Sequence, residues 1–219
     1  MDVDAAWRCR CVACRLPLPM CVCPHVPELP ALAAAARVSF VVHVKEWKRL
    51  SNTARLFDLV MTRNGAACDV YKHGMLGTPL TLDELEDDGR TFVLFPGQRS
   101  RVLSDADIAQ IGEHGTPRIV VPDGTWGQAN QIMKRVQALG RLPVFSLPRP
   151  PVDASRMRRN AFGDRMSTFE AVAQAMGLFA GQVVEDALND FLRRTADRMM
   201  LMRGRLKATE VHGGLRSLI

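Results

Sequence analysis

The chain has 219 residues, of which 47% are hydrophobic, enough for one folded domain with a small appendage and too many for global disorder. A net charge of +6 permits a polyanionic partner without requiring one. No apolar run reaches the roughly 18 residues that a membrane span needs, and the first thirty residues lack the apolar stretch of a signal peptide, so a cytoplasmic protein with no membrane partner is expected.

Five of the six cysteines lie between positions 9 and 23, and the sixth is Cys68. A cluster at one end of a chain without an export signal reads as metal ligation rather than a disulfide framework. Cys11-x-x-Cys14 followed by Cys21-x-Cys23 supplies four soft ligands, a full tetrahedral zinc set that leaves no open position, so the metal is expected to be structural. Cys9 is an alternative to one of the four. His25 is close in sequence but reads as a packing or surface residue. Cys68 reads as a small buried hydrophobe. Residues 1–30 form this Cys-rich knuckle, and 31–219 form the main domain.

Residues 29–36 are a linker or short helix. The short β-branched run at 37–44 predicts a buried strand. Ser51-Asn52-Thr53 offers a helix start, with Ala54, Leu56, Phe57, Leu59, Val60 and Met61 as its apolar face and Gly65 beyond its end. Residues 81–88 predict a short acidic helix, 91–95 a strand stopped by Pro96-Gly97, and 104–114 a helix capped by Ser104. A third strand is expected at 117–122, a helix at 125–139 ended by Gly140, and a fourth strand at 142–147. A Pro/Arg-rich loop covers 148–166, and helices at 168–177 and 181–203 close the chain. Strands alternating with helices imply an α/β fold with a parallel or mixed sheet.

Charge is unevenly placed. Residues 83–113 carry eight acids and three arginines, whereas 141–165 carry six arginines and two aspartates. Arg156, Arg158 and Arg159, with Arg165, suit a phosphate-contacting loop. The basic tail from 189 reads as solvated helix faces.

Four segments carry chemistry. Asp123-Gly124-Thr125-Trp126 follows the apolar run 119–122, placing an aspartate at the carboxyl end of a strand, where open α/β sheets bind ligands. Asp123 is either a helix cap or a functional carboxylate, and Trp126 either core or a stacking platform for a base. Ser167-Thr168-Phe169-Glu170 has the form of a capping box, and the same helix start suits a carboxylate or phosphate. Phe95-Pro96-Gly97 is a turn at which backbone can approach a flat ligand. His43-x-x-Glu46, with Lys48, offers acid/base groups or simply polar residues at a strand end.

Taken in order, Cys11-x-x-Cys14 with Cys21-x-Cys23, Ser51-Asn52-Thr53, Leu94-Phe95-Pro96-Gly97, Asp123-Gly124-Thr125-Trp126-x-Gln128-Ala129 and Ser167-Thr168-Phe169-Glu170-Ala171 resemble the DTW-domain family, most closely its bacterial tRNA-uridine aminocarboxypropyltransferases. One departure is Val44, where the family often has proline after the histidine. The resemblance implies a SPOUT-like α/β fold, mostly parallel, whose C-terminal knot binds S-adenosylmethionine. It implies transfer of the 3-amino-3-carboxypropyl group to N3 of a variable-loop uridine in tRNA, with methylthioadenosine released. On that basis Asp123, Thr125 and Trp126 are expected at the reaction centre, Asp123 as the base that takes the N3 proton or, alternatively, as the group that holds the cofactor ammonium. The cofactor is expected against Phe95, Pro96, Gly97, Val121, Asp123, Phe145, Ser146, Leu147, Ser167 and Thr168. The tRNA is expected across Lys134, Arg135, Arg156, Arg158 and Arg159. The rival readings are a SPOUT-type RNA methyltransferase, a ribosomal-RNA aminocarboxypropyl transferase and a non-catalytic zinc-containing RNA-binding module.

Overall fold

The computed structural model describes residues 7–77, 80, 82, 84–148 and 166–215. Its centre is a six-stranded sheet, parallel throughout, in the order β2-β1-β5-β3-β6-β4. The strands are β1 (Arg37–His43), β2 (Cys68–His73), β3 (Thr91–Leu94), β4 (Arg101–Val102), β5 (Arg118–Asp123) and β6 (Val144–Ser146). The helices are α1 (Leu32–Ala35), α2 (Val44–Trp47), α3 (Thr53–Arg63), α4 (Asp105–Glu113), α5 (Trp126–Arg135), α6 (Gln137–Arg141), α7 (Thr168–Ala180) and α8 (Gln182–Met202).

The central strands read as continuous apolar runs because both sheet faces are covered. Successive side chains point to opposite faces. Val38, Phe40 and Val42 of β1, Ile119 and Val121 of β5, and Phe92 and Leu94 of β3 pack into one cluster with α3, α7 and α8. Val41, Val120, Val93 and Phe95 pack into the other with α5, α6, Leu82 and Leu85. Leu16, Met20, Val22 and Leu29 of the knuckle join the first cluster, so residues 14–29 are part of that core.

Two strands carry no clear signal in the sequence, the edge strand β2 and the two-residue β4. The acidic segment does not form the expected helix: residues 85–88 carry neither helix nor strand, and the carboxylate of Asp88 accepts the backbone N–H groups of Arg90 and Thr91, an Asx-type turn that leads into β3. The helix expected at 125–139 is two helices, broken at Val136, whose ψ of 98° is extended. Gly140 therefore lies inside α6 rather than ending a helix. The break sets buried Val136, Ala138 and Leu139 against the second cluster. The connection from β6 to α7 runs through 149–165, outside the described residues, and with it the crossing that a knot requires.

Candidate active site

The strand order puts the carboxyl ends of β1, β5 and β3 side by side at one edge of the sheet. Asp123 ends β5 on the α3/α7 face and is 5% exposed. Burial of a carboxylate demands donors, and two come from helix starts. Asn52 caps α3, its Oδ1 accepting Arg55 N–H at 2.9 Å, while its Nδ2 donates to Asp123 Oδ2 at 2.7 Å. The first bond fixes the amide so that the second points at the carboxylate. Thr168, the first residue of α7, donates its hydroxyl to Asp123 Oδ1 at 2.5 Å. Three segments that are far apart in sequence thus converge on one aspartate.

Ser167 forms its capping box with Glu170: Ser167 Oγ accepts Glu170 N–H at 3.2 Å, and Ser167 N–H donates to Glu170 Oε2 at 2.6 Å. Thr125 does the same for α5, its Oγ1 accepting Gln128 N–H and its N–H donating to Gln128 Oε1 at 2.7 Å. Thr125 is thereby committed to starting α5 beside Asp123. A Cβ on Gly124 would lie 2.9 Å from Gln128 Cβ, so this turn closes only with glycine in place.

On the α5 face, Gln128 Nε2 lies 3.3 Å from His43 Nδ1, which also accepts Lys45 N–H at 3.3 Å. Both contacts set an N–H donor against Nδ1, which serves as the acceptor. His43 pairs in register with His73 at the end of β2, with ring centroids 6.2 Å apart. Burial, then the nearby His43 and Arg135, lower the basicity of His73. Trp126, half exposed, stacks on buried Phe95 with ring centroids 5.3 Å apart and planes 23° from parallel. These two rings form an aromatic ledge above β3 and β5.

Phe95, Val121 and Phe145 stand at or near the ends of the adjacent strands β5, β3 and β6, and Phe95 N–H donates to Phe145 O at 2.9 Å. Pro96 and Gly97 lie exposed in a turn that Ser100 closes from both sides. Ser146 and Leu147 follow along β6 and are half-buried. Lys134 and Arg135 are exposed at the end of α5. Arg156, Arg158 and Arg159 fall outside the described residues. Asn52, His43, His73 and Gln128 join the site although none of them had a firm role there from sequence alone. Asn52 and Gln128 lay inside recognised motifs, which was the signal available for them.

In the knuckle, the ligand atoms of Cys11, Cys14, Cys21 and Cys23 all lie within 4.8 Å of one another. Cys11 Sγ is 3.6 Å from Cys23 Sγ, and Cys14 Sγ 3.8 Å from Cys21 Sγ. A tetrahedron with metal–sulfur bonds of about 2.3 Å has edges of about 3.8 Å, so these four fit zinc. Burial raises the Cys11 thiol, but the backbone N–H groups of Cys14 and Ala13 outweigh it and bring it down to about 7. Cys9 is exposed and outside the quartet. His25 is turned away, its Nε2 accepting from Arg198 at 2.8 Å.

The sequence matches the DTW domain over residues 8–200. The chain belongs to the DTW domain family. Over 174 residues it is 28% identical to tRNA-uridine aminocarboxypropyltransferase 2 of Drosophila melanogaster, covering 78% of this chain and 66% of that one. Over 175 residues it is 25% identical to tRNA-uridine aminocarboxypropyltransferase 2 of Mus musculus, covering 80% and 57%. The chain thus spans less than two thirds of the length of these curated relatives. No solved structure matches it. The Asp123-Gly124-Thr125-Trp126 turn of this DTW domain is the point on which the contacts described above converge.

Proposed function

We propose that this DTW-domain chain transfers the 3-amino-3-carboxypropyl group of S-adenosylmethionine to N3 of a uridine in tRNA, releasing methylthioadenosine. The observation that carries this is the buried Asp123 carboxylate, gripped by Asn52 and Thr168 at the carboxyl edge of a parallel sheet. The names of the two relatives supply the reaction class, and the variable-loop uridine is the target the sequence resemblance implies.

In the reaction N3 bonds to the terminal carbon of the aminocarboxypropyl chain, the carbon–sulfur bond breaks with its electron pair going to sulfur, and the N3 proton leaves to a base. The chain's task is to aim this carbon, rather than the methyl, at the nitrogen. The donors Asn52 and Thr168 hold the Asp123 carboxylate in place, oriented toward the donor's ammonium. Asp123 is therefore assigned to anchoring. The start of α7 at Ser167 and Thr168, the positive end of its helix dipole, takes the donor carboxylate. Phe95, Pro96, Gly97, Val121, Phe145, Ser146 and Leu147 line the adenosine. The Phe95–Trp126 ledge supplies a face on which a base stacks.

We assign a SPOUT-like knot to the C-terminal part of the domain, residues 1–30 to a knuckle attached to the 31–219 domain, and a structural zinc to Cys11, Cys14, Cys21 and Cys23. Lys134, Arg135, Arg156, Arg158 and Arg159 contact tRNA, and the protein works in the cytoplasm.

The test incubates the protein with unmodified tRNA and S-adenosylmethionine labelled separately in the methyl group and in the amino-acid chain, followed by nucleoside mass spectrometry. A uridine carrying the amino-acid label, with methylthioadenosine formed, is expected. Methyl label on the RNA would make the chain a methyltransferase, and bound tRNA with no label would make it a binding module.

A further inference from the structure

We propose that a basic strip, running from half-buried Arg15 of the cysteine knuckle across α2 to the end of β2, is a track for the tRNA backbone centred on Arg15 and Trp47. The proposal rests on the tRNA reading above and extends it to residues of the knuckle, α2 and β2.

Helix α2 starts directly after His43 and packs on β1 and β2, so it borders the strand ends where the site lies. Lys45, Lys48, Arg49 and Lys72 are exposed there. The one acid of α2, Glu46, is folded against Arg49 at 3.2 Å with 13% of its side chain exposed, which leaves the strip positive. Half-buried Trp47 has Lys72 Nζ 5.5 Å and Arg15 Cζ 5.9 Å from its ring centroid, both within cation–π range. Neither cation forms an ion pair among the described residues.

Arg15 is the decisive residue. It is the one non-glycine with a positive φ, 61°, among the described residues. It follows Cys14 in the knuckle turn, where its N–H donates to Cys11 O at 2.8 Å. Glycine adopts this backbone without steric cost and would close the turn equally well. Arginine there is strained, so its side chain must supply what the turn does not need. That side chain lies by Trp47, the ring that Lys72 also approaches. Like charges gathered on one ring without a carboxylate repel each other, and a phosphate backbone relieves the repulsion. A merely solvated charged face has no need of a residue in this conformation. The knuckle turn thus aims Arg15 at the strip, which gives the metal site a part in orienting RNA.

The experiment measures binding of unmodified tRNA by the full chain across a series of salt concentrations. Arg15→Gly relaxes the turn, so zinc content and melting temperature are kept or raised. It should nevertheless weaken tRNA binding about threefold and lower the salt slope by about one. The triple variant Lys45→Gln, Lys48→Gln, Lys72→Gln should weaken binding roughly 30-fold, threefold per charge. Arg63→Gln, at the far end of α3, should leave affinity unchanged. Wild-type affinity and slope in both strip variants, or equal weakening by Arg63→Gln, would overturn the track alone. A wild-type chain that does not bind tRNA would overturn the substrate reading and the track with it.

Discussion

Asp123 shows how much of a site is decided by contacts that sequence spacing does not reveal. The motif around it was legible, and so were the helix starts at Asn52 and Ser167. That Asn52 and Thr168 donate to the same carboxylate was not, because the partners lie 71 and 45 residues away. Thr168→Val removes one donor while Ser167 continues to cap α7. It should cost about 1 kcal/mol of stability and lower the transfer rate about tenfold or more, with Thr168→Ser restoring both; steady-state kinetics and urea denaturation check this. Gly124→Ala forces Gln128 away from Thr125 N–H and should cost about 1–3 kcal/mol in the same denaturation assay. His43 and His73 were harder to see, since β2 gave no strand signal and their pairing depends on its register.

At the scale of elements, strong signals were the buried ones. β1, β3 and β5 are apolar on both faces, whereas β2 is a half-buried edge carrying Asp69 and Lys72, and β4 has two residues. The acidic run failed as a helix because Asp88 pairs locally. Burial raises the Asp88 carboxyl, but bonds from Arg90 and the N–H groups of Arg90 and Thr91 prevail and bring it from 3.8 to about 2. The folded value lies below the unfolded one, so its stabilisation is present above about pH 4 and is lost as pH falls through about 2. Asp88→Asn should therefore lose less stability than wild type between pH 4 and pH 2, measured by denaturant midpoints. Equal losses would mean that the turn does not depend on the charge. The split of α5 from α6 at Val136 was invisible because both halves share one apolar periodicity, and only packing on the sheet forces the break.

For the whole molecule, the knuckle and the sheet are one folding problem. Cys14 and Cys21 are buried in the same cluster as Phe57, Phe169 and Phe191, so a metal held by the four cysteines bears on the main core. The protein should carry about one zinc by elemental analysis, and chelation should lower the melting temperature by about 10 °C or more, at about 2–4 °C per kcal/mol for a chain of this size. An unchanged melting temperature would reduce the knuckle to an ornament on a self-sufficient sheet. Under the proposed function, the strand-end clasp on Asp123 holds the aminocarboxypropyl donor, a placement open to direct measurement. Its most direct test is calorimetric binding of S-adenosylmethionine, without tRNA, to the wild-type chain and to Asp123→Asn. Binding by the wild type that weakens about tenfold or more in the variant, as loss of a buried charge pair would require, is the predicted result. Equal binding by the two proteins would contradict it.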